Sequence, residues 1–177
     1  MKIQLGIYKI RSYERNDKNA LVKYANNDKI SKNLRDSFPY PYTEEDAQAW
    51  ITAATNQNPE INFAIANSNE LIGGIGLMFQ PDVYRFSAEI GYWVAEPFWG
   101  KGIASLALVA LSKYAFEQFD LNRIFAGVFQ GNRASMRVLE KSGFKLEGRL
   151  RKSVYKDNRF KDQLMYSILK EELLENN

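Results

Sequence analysis

The sequence predicts one mixed α/β sheet with helices on its faces, and three observations predict it. Strand-like and helix-like segments alternate along the chain instead of falling into blocks. A strand, helix, strand succession over residues 85–128 demands a crossover, which makes those two strands parallel. The flanking strand pairs have short turns and should run antiparallel. About six to seven strands result, in a single domain spanning 1–177 with its core at about 5–170.

Taken in order, residues 5–11 alternate in strand fashion, and 16–27 reads as a helix with Leu21, Val22 and Tyr24 to bury. Ser37-Phe38-Pro39-Tyr40-Pro41-Tyr42 is a loop, because two prolines break any helix. Thr43 is placed to N-cap the next helix. Glu44, Glu45 and Asp46 favour the dipole of its first turn, and Trp50 and Ile51 give it an apolar side. Residues 61–66 and 71–78 form a hairpin across the turn-rich Asn67-Ser68-Asn69-Glu70. A third strand at 85–94 stops at Pro97. There follow a long helix at 103–119, a strand at 123–128 and a helix at 132–142. Strands at 144–149 and 160–169, with the turn Asp157-Asn158 between them, complete the set.

Composition limits the chemistry. With 45% hydrophobic and 25% charged residues the chain should bury a core. A net charge of +3 from 24 basic and 21 acidic residues, without a basic tail, does not indicate a nucleic-acid binder. There is no His, so no Ser-His-Asp machinery and no imidazole base. There is no Cys, so no thiolate nucleophile and no disulfide. The remaining tools are carboxylates, hydroxyls, amines, backbone amides and any reactivity a ligand brings. The first residues lack the apolar stretch of a signal peptide, and residues 103–116 are too short to span a bilayer. A cytoplasmic protein is expected.

The segment Glu96-Pro97-Phe98-Trp99-Gly100-Lys101-Gly102-Ile103-Ala104-Ser105 joins a strong strand to a buried helix. Its glycines allow the backbone to turn tightly and to approach a ligand without Cβ interference. The amides that follow belong to a helix N-terminus, which presents unpaired donors and a partial positive charge to an anion such as pyrophosphate. Lys101 adds a cation or is simply solvated. A Gly-x-Gly turn also serves as plain structure. A dinucleotide fingerprint would need a third glycine, and a nucleoside-triphosphate loop would need Gly-x-x-x-x-Gly-Lys-Ser/Thr; neither is present.

Three stretches together carry a family resemblance. They are Glu89-Ile90-Gly91-Tyr92-Trp93-Val94, then Pro97-Phe98-Trp99-Gly100-Lys101-Gly102-Ile103-Ala104, then Asn132-Arg133-Ala134-Ser135-Met136-Arg137-Val138-Leu139-Glu140-Lys141-Ser142-Gly143-Phe144. The pattern resembles the GNAT acetyltransferases, and within them the RimJ/RimL-like group, over about residues 5–169. The resemblance implies the GNAT fold, with its central parallel strands splayed. It also implies acetyl-CoA as cosubstrate, no metal, an amine acceptor, and by analogy a possible homodimer. Nucleic acid and membrane are not among the partners it implies.

On this chain the resemblance places the pantetheine arm along the backbone of Trp93 and Val94. The pyrophosphate falls on Trp99, Gly100, Lys101, Gly102, Ile103, Ala104 and Ser105, with Asn132 also at the cofactor. The family loop usually opens on Gln or Arg, where this chain has Trp99; such a change is tolerable if backbone amides hold the phosphates. Many members carry, seven residues after the Asn, a Tyr that protonates the departing thiolate. Here that position is Leu139, and Ser135, three residues after Asn132, is the replacement that RimL-like members imply. Residues 132 and 135 share a helix face. Plain helix capping is the alternative role for both.

Glu89 is a candidate base, acting directly or through water. A carboxylate with an ordinary pKa of ~4.3 would need raising or a relay, and a cross-strand pair with Lys or Arg is the competing role. Phe38, Tyr40, Tyr92 and Tyr155 are candidates for the acceptor pocket, as is the turn around 156–159; aromatic residues on strands also serve as core. The function expected is acetyl transfer to a primary amine, on a protein N-terminus or a small molecule. The alternative is an acyl-CoA-binding or sensing domain without turnover. An oxidoreductase using a nucleotide cofactor is disfavoured by the missing fingerprint.

Overall fold

Gly6 changes the strand count. At φ +64° it adopts a left-handed conformation that side chains resist, and it folds the first segment back on itself. What alternation presents as one strand at 5–11 is therefore a hairpin of β1 (Lys2–Leu5) and β2 (Tyr8–Arg11), with Leu5 opposite Tyr8. The computed structural model describes residues 1–174. Its sheet has eight strands rather than six to seven, in the order β1-β2-β3-β4-β5-β6-β8-β7. Here β3 is Asn62–Ala66, β4 Leu71–Phe79, β5 Ser87–Val94, β6 Arg123–Phe129, β7 Lys145–Lys156 and β8 Arg159–Leu169.

The helices are α1 (Lys18–Ala25), α2 (Asp28–Ser31), α3 (Glu44–Thr55), α4 (Ile103–Gln118), α5 (Arg133–Lys141) and α6 (Lys170–Leu174). Two compact units share these elements. One comprises Met1–Gly76 and Tyr92–Ala107; the other comprises Leu77–Gly91 and the chain from Leu108 onward.

In the first unit, Thr43 caps α3 as the sequence predicts. Its hydroxyl accepts from the Asp46 amide at 3.2 Å, and the Asp46 carboxylate accepts from the Thr43 amide at 2.8 Å. Ala47, Ile51 and Ala54 then point inward at helical spacing, against Leu21 and Ala25 of α1. Trp50 is the exception to the predicted apolar side. It is 39% exposed and meets the buried Tyr13 edge-on, with 6.1 Å between ring centroids. The β3–β4 hairpin closes where Asn67 Oδ1 accepts from the amides of Asn69 and Glu70 at 2.8 and 2.9 Å.

In the second unit, the predicted parallel pairing is present. The ladder joins Ser87, Ala88 and Glu89 to Arg123, Ile124 and Phe125. Beyond it, β5 runs on through Ile90 and Gly91, while β6 through Phe129 keeps its antiparallel pairing with β8. The β7 strand is longer than the predicted 144–149, because it pairs with β8 as far as Lys156↔Arg159. Leu108, Leu111, Ala115 and Phe116 make one face of α4 a buried stripe. Among the described residues, no helix is long and apolar enough to cross a membrane.

Candidate active site

The glycine loop is built on a short 3-10 turn, Glu96–Phe98, that Pro97 starts. Ala95 is fully buried, and its amide donates to Ile72 O at 2.8 Å, which fixes where the loop leaves the sheet. Trp99 sits where the family has Gln or Arg. Its indole Nε1–H donates to the Val94 carbonyl at 2.6 Å, so the ring straps the loop to the end of β5. Gly100 and Gly102 both stand at φ +75°, and a Cβ built on either meets nothing within 4 Å. The space over the loop is open, while the backbone conformation is one that favours glycine. Ile103 is buried and anchors the first turn of α4, in which Leu106 N donates to Gly102 O at 3.1 Å. Gly102 has no side chain with which to cap that turn. Open space, glycine backbone and a helix N-terminus together fit a pyrophosphate. Lys101 is exposed, with its ammonium 5.1 Å from the Phe98 ring centroid.

A second anchor was invisible in the sequence. Glu96 accepts from Asn27 Nδ2 at 2.8 Å and pairs with Lys29, which holds its carboxyl below the usual range, Lys29 first and Asn27 next. The neighbouring Asn26 accepts from the Tyr42 amide at 3.2 Å. One turn between α1 and α2 thus ties both the glycine loop and the 37–42 segment. Of the predicted acceptor residues, Phe38 is half-buried and lies against Trp93 (5.7 Å) and Tyr42 (5.2 Å), whereas Tyr40 is exposed.

Trp93 itself crosses β4 where only glycine fits. A Cβ on Gly73 would fall 2.4 Å from Trp93 O, and one on Gly74 would fall 2.7 Å from its indole nitrogen. Burial pushes the Tyr42 phenol up to about 12 and raises that of Tyr13 as well, so neither hydroxyl serves as a base near neutrality.

In the second unit, α5 is entered through Gly131, at φ +97°, and Asn132. Asn132 Oδ1 accepts from the Ser135 amide at 3.2 Å, so the capping role weighed for Asn132 is realised. Ser135 is half-buried one turn into the helix, and Leu139, at the family's Tyr position, is fully buried core. Glu89 is half-buried on β5 opposite Phe125. Tyr92, where the first unit resumes, is half-buried near the end of that strand. Tyr155 lies on β7, 59% exposed and 5.1 Å from the Phe160 ring. No cluster of His, Cys, Asp or Glu among the described residues is grouped to hold a metal.

Comparison with known proteins shows the family and the fold. The acetyltransferase (GNAT) domain family matches residues 9–145. The N-acetyltransferase YnaD of Bacillus subtilis strain 168 is 34% identical over 166 residues, covering 92% of this chain and 94% of its own. Among solved structures, a GNAT-family acetyltransferase from Bacillus anthracis superposes with a TM-score of 0.83 at 29% identity, covering 97% of this chain and 99% of that one. Mycobacterium smegmatis RimJ, solved in complex with CoA-disulfide, has a TM-score of 0.82 at 26% identity, over 95% of this chain and 84% of its own.

Proposed function

This chain belongs to the GNAT acetyltransferase family, and we propose that it moves an acetyl group from acetyl-CoA directly to a primary amine, on a protein N-terminus or a small molecule. The observation that carries the donor assignment is the entry to α4: two glycines at φ +75° under open space, the second of them at the cap position of the helix.

Acetyl-CoA brings a thioester, whose carbonyl carbon an amine attacks and whose sulfur departs as thiolate. The chain's part is to bind, to orient and to move protons. Amides of residues 102–105 hold the pyrophosphate, and the backbone of Trp93 and Val94 holds the pantetheine arm. Val94 keeps one carbonyl lone pair engaged by Trp99. The Ser135 hydroxyl gives its proton to the thiolate and is reprotonated from solvent, and Asn132 holds the turn that presents it. Glu89 takes the proton released by the amine, directly or through water. Phe38, Tyr40 and Tyr92 wall the acceptor.

Leu139 favours a second reading, an acyl-CoA-binding domain without turnover, since a buried leucine has no proton to give. The two readings separate when acetyl-CoA is mixed with a panel of peptides, amino acids and polyamines and free thiol is followed. Acceptor-dependent thiol release, with the acetylated amine seen by mass spectrometry, supports the transferase. CoA binding without it supports the second reading.

A further inference from the structure

Charge is concentrated in one hairpin. Residues 145–161 carry seven basic and two acidic side chains, a net of +5 in a chain whose total is +3. Several are neutralised locally: Lys145 by Glu172, Arg149 by Asp162 and Lys161 by Asp157. Arg151, Lys152 and Arg159 are exposed and have no ion pair within 4 Å among the described residues, although the charge of Arg151 also bears on Asp162.

Two of these three are presented by a built feature. Pairing of β7 with β8 passes from Leu150↔Gln163 to Val154↔Lys161, so Arg151, Lys152 and Ser153 stand opposite the single residue Asp162. Lys152 has φ +51°, which a lysine adopts only when its surroundings hold it there. The holder is Asp162. Its mostly buried carboxylate accepts the Lys152 amide at 2.8 Å and the Arg149 guanidinium, while its backbone is bonded on both sides to Gln130. Bulges of this kind re-aim side chains and are features rather than faults. Beyond the bulge, Tyr155 and Phe160 pair across the ladder, 59% and 67% exposed.

We propose that the bulge and tip of the β7–β8 hairpin, through Arg151, Lys152 and Arg159 with the Tyr155–Phe160 pair, dock an acidic segment of a polypeptide. Resting on the transferase reading, the proposal makes the acceptor amine that of a protein with acidic sequence near it. Arg151 and Lys152 match a pair of carboxylates and the exposed ring pair offers apolar ground beside them, while Arg159, one residue from Phe160 and so leaving the other face of the ladder, adds charge at the tip. RNA fits less well. The rings lie against each other, 5.1 Å apart at 59°, rather than open as stacking platforms, and Asp157 sits in the same turn.

The test is fluorescence anisotropy of the full chain with a labelled peptide alternating Glu and Leu, its Lys/Leu counterpart, and single-stranded RNA. We expect the acidic peptide alone to bind, more weakly as salt rises. The double variant R151E/K152E should weaken it by about tenfold or more, and R151K/K152R should restore it. Equal binding of both peptides, binding of RNA in preference, no binding of the acidic peptide, or an R151E/K152E variant that binds like the parent would each overturn the proposal. Thiol release from acetyl-CoA with a small amine is read separately. Peptide binding without any transfer sinks the transferase reading and leaves the docking surface. Transfer to acidic and neutral peptides with equal KM sinks the docking surface and leaves the transferase.

Discussion

Two strand-to-helix turns in this molecule look alike and are finished differently. At 100–103 the chain enters α4 through two glycines at φ +75°; at 131–133 it enters α5 through a glycine at φ +97° and an asparagine. The second turn satisfies one of its own amides, because Asn132 accepts from Ser135 N. The first has only glycine at the cap position and cannot do the same. A helix N-terminus closed by its own side chain is structure, and one left to glycine is prepared for an outside anion. The proposed function accordingly puts donor binding at the α4 turn, and uses the α5 turn as the capped scaffold that presents Ser135.

The sharpest way to break that division is at Ser135. Ser135→Ala should lower kcat by about 100-fold, the scale of one general acid, with acetyl-CoA affinity unchanged in a direct titration. A matching loss of affinity would put Ser135 in the binding site instead. Next in size, Gly102→Val puts about 1–2 kcal/mol of strain on the positive-φ conformation; the free loop relaxes out of it, CoA has to restore it, and binding weakens about 5- to 30-fold. Turnover at saturating acetyl-CoA should survive. Unaltered CoA binding would mean that the α4 turn does not touch the phosphates.

The legibility of the site follows the same contrast. Gly100 and Gly102 declare themselves, because few other residues tolerate such a backbone and their place before an apolar helix is local in sequence. Asn132 and Ser135 are equally local. The anchors are not. Asn27 and Lys29 hold Glu96 from almost seventy residues away, and Glu96 in sequence is only an acid at the start of a turn. The closeness of Gly73 and Gly74 to Trp93 exists only once β4 and β5 are folded. Alternation hid the β1–β2 hairpin because the period of two continues through Gly6, although a Gly-x pair is itself a turn signal. The length of β7 was obscured by its basic run, which has no apolar alternation to mark a strand.

Two smaller effects sharpen the comparison. Asn132→Ala should cost about 1 kcal/mol of stability by thermal or denaturant unfolding, with Asn132→Asp recovering most of it, as a cap should. Trp99→Phe removes one hydrogen bond to Val94 O and, at about 0.5–1.5 kcal/mol, should raise KM for acetyl-CoA a few-fold while leaving kcat alone. A fall in kcat would give the indole a part in the reaction.

The smallest expected effect is one of pH. The carboxyl of Glu96 is held below its ordinary 4.5 by Lys29 and then Asn27. Its tie to the loop is therefore fully present above that value and lost as pH falls through the lower, folded one. CoA affinity followed downward from neutrality should hold to about pH 4.5 and weaken only below it, and Lys29→Met should move the weakening to higher pH.

Whether the α4 turn holds the donor is decided by a calorimetric titration of CoA onto the parent protein and onto Gly102→Val. The parent should bind CoA saturably and the variant about 5- to 30-fold more weakly, with both proteins folded by circular dichroism. Equal affinity for the two, or no CoA binding by the parent, would contradict that role for the α4 turn.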